Sequence, residues 1–243
     1  MKLDLPNVTL VCVEDRGEEL VLTASEIISG IKDHINFYDV KLLSSISLKG
    51  VTHKISPINN LKDYNIFILN ELINYVDSEF VMMIQTDGYP IAPQNWSPLF
   101  LNYDYIGAPW SRTLNKNEAS VPITPTAEQL LLRAGRSVGN GGFSLRSKRL
   151  LKEVASRNYQ CTPLDWDEFD VKGFEFNEDE YVCRYLNKDL ISKGFTFAPV
   201  EVAEAFSIEN DLWVGQFGFH GHDTIKLNKR FGGFKFNRHV YEL

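Results

Sequence analysis

The sequence predicts an α/β domain built on a mixed, mainly parallel central sheet flanked by helices. Phe80-Val81-Met82-Met83-Ile84 is an unbroken apolar run, the pattern of a strand covered on both faces in a parallel sheet. Upstream of it, strand-like and helix-like segments alternate, the order that right-handed β-α-β crossovers need. The chain has 243 residues, 44% hydrophobic and 12% aromatic, enough for one domain with a sizeable core. We therefore read residues 1–243 as a single domain.

The elements follow in order. Val8 to Val13 alternates into a first strand. Thr23 with Glu26 matches a capping box for a helix carrying Ile27, Ile28 and Ile31. Val40 to Leu43 is a second strand. Phe67, Ile68, Leu72, Ile73 and Val76 stand at helical spacing within the stretch from Leu61 to Val76. The strand Phe80 to Ile84 comes next and stops at Gln85-Thr86-Asp87-Gly88. Ligands bind beyond the carboxyl ends of strands in open α/β sheets, so Asp87 is either a carboxylate for a hard cation or part of a plain Asp-Gly turn.

Segment 111–137 is polar and Pro-containing, with one helical stretch from Ala127 to Leu132. It reads either as a lid over a ligand or as an ordered surface excursion. Gly139-Asn140-Gly141-Gly142 then places three glycines in four positions. They permit close backbone approach to a bulky polar ligand, or a tight turn. Phe143-Ser144-Leu145 alternates as a short strand, and Ser147 is placed to cap a helix carrying Leu150, Leu151 and Val154. Trp166, Phe169, Phe174 and Phe176 lie among acidic residues, available for sugar stacking or for packing. Asn177 with Glu180 matches a second capping box, ahead of a stripe of Val182, Leu186 and Leu190. Glu178 and Asp179 then occupy a first helical turn, where the macrodipole keeps a carboxylate ionised and fit to act as a base.

The net charge of −7 and pI near 5.3 argue against general nucleic-acid binding, which needs a basic footprint. Cys12, Cys161 and Cys183 are odd in number and form no Cys-X-X-Cys pair, so a structural zinc site is not expected. Cys12 and Cys183 read as buried, reduced thiols. The start lacks the apolar segment of a signal peptide, and no apolar run approaches the ~20 residues of a membrane span. A cytoplasmic protein is expected. The tail from Lys226 to Leu243 is the one basic stretch, interleaved with aromatics. It suits peripheral contact with an anionic membrane or a lipid-linked acceptor, or packs back on the domain.

Gln85-Thr86-Asp87-Gly88-Tyr89, Tyr103 through Trp110, Val138 through Ser147, Asn177-Glu178-Asp179-Glu180 and Phe217-Gly218-Phe219-His220-Gly221 occur in this order. Together they resemble an uncharacterised family of bacterial proteins grouped with GT-A glycosyltransferases, over about Val8 to His222. The order of the blocks is also similar to that of beta-galactosyltransferases. The resemblance implies a GT-A-like, Rossmann-related fold: a nucleotide-binding half at about 8–110, a sugar and acceptor half at about 138–222, and the tail at 223–243. It implies transfer of a sugar from a nucleoside-diphosphate-sugar, a UDP-sugar above all, to a hydroxyl of a glycan or lipid-linked acceptor, with inversion, in surface polysaccharide or glycoconjugate synthesis.

Residue by residue, Gln85-Thr86-Asp87 resembles the Asp-X-Asp motif with Gln in place of the first carboxylate. Asp87 is the implied metal ligand and His220 the late histidine that completes a Mn²⁺ or Mg²⁺ site. Donor contacts fall on Val11, Val13, Glu14, Gln85, Thr86, Asp87, Gly88, Gly141 and Gly142. Acceptor contacts fall on Trp110 and Glu178, and Asp179 is the implied catalytic base. Because Gln85 replaces a carboxylate, a carbohydrate- or nucleotide-binding module with a decayed site remains the alternative. A glycoside hydrolase is disfavoured, because consecutive helical carboxylates do not face each other across a substrate.

Overall fold

The structure, a computed structural model, describes residues 2–110, 138–167 and 171–231. Its centre is β1 (Leu3–Val13), which pairs in parallel with β2 (Ile35–Ser44) on one side and β4 (Phe80–Ile84) on the other. The two-residue β3 (His53–Lys54) extends the sheet beyond β2. Beyond β4 lie β7 (Ser144–Ser147) and β6 (Tyr105–Gly107), and β7 runs antiparallel to both of its neighbours. The six-stranded order is β3-β2-β1-β4-β7-β6, with β7 the one reversed strand. The expected α/β class and mainly parallel sheet are what is observed.

Side-chain alternation explains why the central strands are apolar throughout. Leu10, Cys12, Met82 and Ile84 pack with Ile27, Ile28 and Ile31 of α1 (Glu18–His34) on one face. Val11, Val13, Val81 and Met83 pack with Phe67, Ile68 and Leu72 on the other. Each such fully buried aliphatic side chain stabilises the fold by roughly 1.5–3 kcal/mol. The covering layer on that second face is one continuous helical stretch. It runs as α2 (Leu61–Ile66), a π-helical segment Phe67–Glu71 and a 3₁₀ turn Leu72–Tyr75.

A second sheet matters more for function. β5 (Gly88–Pro90) pairs antiparallel with β11 (Gly218–His220), which pairs in parallel with β10 (Ser207–Glu209). Phe143, Phe206, Phe217 and Phe219 are fully buried and bond this sheet to the main core. The remaining elements are β8 (Leu164–Trp166), β9 (Val171–Phe174), α3 (Lys148–Ala155), α4 (Glu178–Glu180), α5 (Asn187–Ser192), α6 (Val200–Phe206) and α7 (His222–Phe231). Trp166 and Phe176 are buried in a core cluster and Phe174 packs against it, so packing is the reading that holds for these aromatics. No helix among the described residues is long and apolar enough to cross a membrane.

Several expectations are corrected. α1 starts at Glu18 behind Gly17, whose φ of 136° suits glycine. Thr23 lies inside that helix and donates to the Glu19 carbonyl, so it is not a cap. Asn177 makes no capping bond. Its side chain instead accepts from the Asn65 amide, and Glu180 pairs with Arg184. Ser147 does cap α3, accepting from Leu150 N–H. Cys12, Cys161 and Cys183 are all buried free thiols. The candidate lid at 111–137, Phe169, and the tail beyond residue 231 lie outside the described residues.

Candidate active site

The parallel strands β1 and β4 end on the same side of the sheet, at Val13 and Ile84. A cleft of about 520 Å³ opens there, lined by Val13, Glu14, Asp15, Arg16, Ile58, Asn59, Asn60, Leu61, Tyr64 and Gln85. Val13, Glu14 and Gln85, expected as donor contacts, line this cleft. Val11 does not: it is fully buried with Val81 and Phe67 in the core, two residues before the first cleft-lining position on the strand, Val13.

Two residues of this cleft are not legible from any motif. Asp15 accepts from Ser44 Oγ, Ser45 N–H and Oγ, and Ile58 N–H. Burial would push its carboxyl up, but those hydrogen bonds outweigh it and hold Asp15 below the usual range. It therefore ties two rim loops to the end of β1. Arg16 donates through Nε and Nη2 to both oxygens of the buried Glu14, and through Nη2 to Thr86 Oγ1 at 3.2 Å. Glu14 is therefore committed to an ion pair, and Arg16, with a side chain 58% exposed, is the group that faces the cleft.

The second sheet brings the remaining groups together. Gly88, His220 and Glu209 are register partners across β5, β11 and β10. His220 Nε2 stands 4.0 Å from Asp87 Oδ1 and 3.3 Å from Gln85 Oε1, and Nδ1 stands 3.1 Å from Glu209 Oε1. Burial would lower the His220 pKa, but the hydrogen bond and charge of Glu209, aided by Asp87 and Asp179, raise it. His222 Nε2 lies 3.6 Å from the other Asp87 oxygen on a side chain 70% exposed. Gly221 N–H donates to the Asp87 carbonyl at 2.8 Å, closing the turn.

The two adjacent glycines join this cluster to Asp179. Gly141 N–H donates to Asp179 Oδ2 at 3.0 Å. A Cβ at Gly142 would fall 2.0 Å from His220 Nε2 and 2.8 Å from Gln85 Oε1. A Cβ at Gly141 would fall 2.1 Å from Glu178 Oε1. No side chain larger than hydrogen fits at either position. Gly88 is similarly confined, since a Cβ there would meet His220 Cδ2 at 2.5 Å.

The two carboxylates at the start of α4 differ sharply. Glu178 is buried, and both its oxygens accept from Arg146, at 2.7 and 2.8 Å. It was expected at the acceptor, but its carboxylate is closed off in this pair. Arg146 also donates to Ser144 Oγ and the Gly141 carbonyl, so the ion pair braces the glycine turn from behind. Asp179 keeps a partly open side chain. The protein packed around it nevertheless desolvates the carboxylate, and Glu178 and Glu180 add like charge, lifting its pKa to about 7. The expectation of a helix dipole holding it ionised is thus reversed: α4 spans three residues and passes straight into a π-helical segment, Tyr181–Tyr185. Trp110, also expected at the acceptor, has the Arg184 guanidinium 4.0 Å over its ring.

Asp87 and His220 offer one hard oxygen and one imidazole nitrogen. That donor set suits a borderline divalent cation. Among the described residues, no group of three or more His, Cys, Asp or Glu is arranged to hold a metal ion. A bound cation would therefore draw further oxygens from a ligand or water, as cations shared with phosphates do.

Comparison with solved structures finds partial likeness. A mannosyltransferase from Pyrobaculum calidifontis, solved with GDP-Man and Mn²⁺, is 12% identical with a TM-score of 0.43 over 80% of this chain. This chain spans 56% of that enzyme's length, a little over half. A glucosyl-3-phosphoglycerate synthase from Mycobacterium tuberculosis, solved with phosphoglyceric acid, is 14% identical with a TM-score of 0.40 over 82% of this chain and 75% of that one. No curated protein matches the sequence. A family model described as "Protein of unknown function (DUF5672)" matches residues 47–220, most of the chain and every block from Gln85 to His220, and the protein belongs to that family.

Proposed function

We propose that the protein is a glycosyltransferase that moves a sugar from a nucleoside-diphosphate-sugar to an acceptor hydroxyl. The observation that carries this reading is the glycine turn. Gly141 holds Asp179, and Gly142 leaves room for His220 beside Asp87 and Gln85. One backbone turn therefore joins a candidate base to a candidate cation site, beside a cleft at the strand ends. The cleft suits a nucleotide, with Arg16 and Gln85 on its wall.

Asp87 and His220 would hold a divalent cation, Mn²⁺ or Mg²⁺, which when bound neutralises the charge growing on a departing diphosphate. Asp179 accepts the proton of the attacking hydroxyl. Its pKa of about 7 suits that task, since a base works best with a pKa near the working pH. The Gly141-Gly142 turn seats the protein's own Glu178 and His220 against the backbone rather than a sugar. Attack opposite the leaving group gives inversion.

The test is a thermal-shift screen of nucleotide-sugars with and without Mn²⁺. A true donor well above its Kd should stabilise the fold by roughly 2–4 kcal/mol, more with Mn²⁺ than without. Stabilisation with no turnover on any acceptor would favour the binding-module reading. No stabilisation by any nucleotide-sugar would refute both.

A further inference from the structure

Glu209 belongs to none of the sequence blocks, yet it stands at the centre of a closed set of contacts. Glu209 is the register partner of His220 across the parallel pair β10 and β11. Its Oε1 meets His220 Nδ1 at 3.1 Å and accepts from Asn140 Nδ2 at 2.8 Å. Asn140 Oδ1 in turn accepts Gly142 N–H at 3.0 Å. A carboxylate oxygen accepts, so the proton that His220 and Glu209 share is the one on Nδ1. In the neutral ring that leaves the lone pair on Nε2. Nε2 is the atom that faces Asp87 and Gln85, with the Gly142 backbone packed beside it.

We propose that Glu209 is the positioning residue for His220. It fixes the tautomer and rotation of the ring so that the Nε2 lone pair faces Asp87. Through Asn140 it ties that orientation to the Gly141-Gly142 turn. The geometry stands alone; its consequence, cation affinity, rests on the glycosyltransferase reading. Without Glu209 the proton returns to Nε2, the position a free histidine side chain favours, and an N–H then points where a cation would have to be bound. Loss of such an outer partner typically weakens metal binding 10–100-fold.

The experiment uses the full chain labelled with ¹⁵N-histidine. Two-bond ¹⁵N–¹H couplings, recorded metal-free at a pH where the ring is neutral, identify the tautomer of His220. Mn²⁺ affinity is measured separately by electron paramagnetic resonance, with UDP present. The wild type should show the Nδ1–H form. Glu209→Leu should show the Nε2–H form and bind Mn²⁺ about 10–100-fold more weakly. Glu209→Gln keeps an oxygen acceptor and should restore the Nδ1–H form and most of the affinity. Glu209→Ala carries the same expectations as Glu209→Leu, should the bulkier variant not fold. An Nδ1–H tautomer persisting in the Leu or Ala variant overturns the proposal, as does a swapped tautomer with unchanged Mn²⁺ affinity. If the wild type takes up no Mn²⁺ with UDP, the metal-dependent reading fails, while the tautomer comparison still decides the role of Glu209.

Discussion

Replacing Asp179 with Asn should stabilise the protein at neutral pH while removing its base. Burial and the charges of Glu178 and Glu180 raise the Asp179 pKa from 3.8 to about 7. A group whose folded pKa is raised contributes stability that is complete below the unfolded value and is lost as pH rises through the folded value. Stability should therefore fall between about pH 4 and pH 7 and then level off. Roughly three pK units at 1.36 kcal/mol each give about 4 kcal/mol. Solvent at the open edge of the side chain brings the expectation down to about 2–4 kcal/mol. In Asp179→Asn this pH-dependent loss is absent. One constant cost opposes the gain. Asp179 accepts from both Gly141 N–H and Glu180 N–H, and an amide can accept only one of them well, at a cost of about 1 kcal/mol. That shifts the variant's curve down without tilting it. Urea unfolding of both proteins at several pH values from 4 to 8 measures the difference. The advantage of Asp179→Asn should grow with pH by about 2–4 kcal/mol. Parallel curves would refute the claim that this carboxyl is held protonated by its surroundings.

Three further outcomes are expected. Asp87→Ala should abolish Mn²⁺-dependent UDP binding in calorimetric titration while leaving the unfolding midpoint nearly unchanged, because Asp87 lies past a strand end; unchanged Mn²⁺-dependent affinity would remove it from the cation site. Gly142→Ala puts a Cβ 2.0 Å from His220 Nε2, so the ring must swing away; the same titration should show at least about tenfold weaker Mn²⁺-dependent binding, and wild-type affinity would show that the ring is not used. Arg146→Met strands the Glu178 carboxylate in the core and should cost about 3–5 kcal/mol in urea unfolding, whereas the double variant Arg146→Met, Glu178→Leu should recover most of it; an equally unstable double variant would mean that packing rather than charge pairing sets the cost.

What could be read from the sequence was local. Phe80–Ile84 was found with correct ends because burial on both faces leaves no polar position in it. Ser147 was found because its cap bond reaches only three residues on. The same local logic failed at Thr23 and Asn177, where the right spacing met the wrong context. One sits inside a helix, and the other is engaged by Asn65 from a distant segment. The site divides in the same way. The glycine turn, Asp87, Asp179 and His220 stand in recognisable blocks and come together in space. Glu209 and Asp15 act through partners on other elements, Glu209 on Asn140 and Asp15 on Ile58, and Arg16 reaches past its neighbour Glu14 to Thr86. No spacing rule reports such pairs. The Arg146 pair that withdraws Glu178 is hidden for the same reason.

The order β3-β2-β1-β4-β7-β6 also constrains how the chain reaches its native state. β1 meets β2 through a single helix, a short loop closure. β1 must then find β4, with Val8 beside Phe80, and β4 must find β7, with Phe80 beside Ser147. Pairings between segments so far apart in the chain are slow, because their closure entropy is spent before any contact rewards it. Until both have formed, Phe80–Ile84 is an uncovered apolar strand with two open edges, the kind of segment through which folding intermediates aggregate. Asp87 follows directly after that strand, and its partners come from still later segments. Nascent chains are therefore most vulnerable to self-association through the strand that carries the site, and the site can form only after that danger has passed.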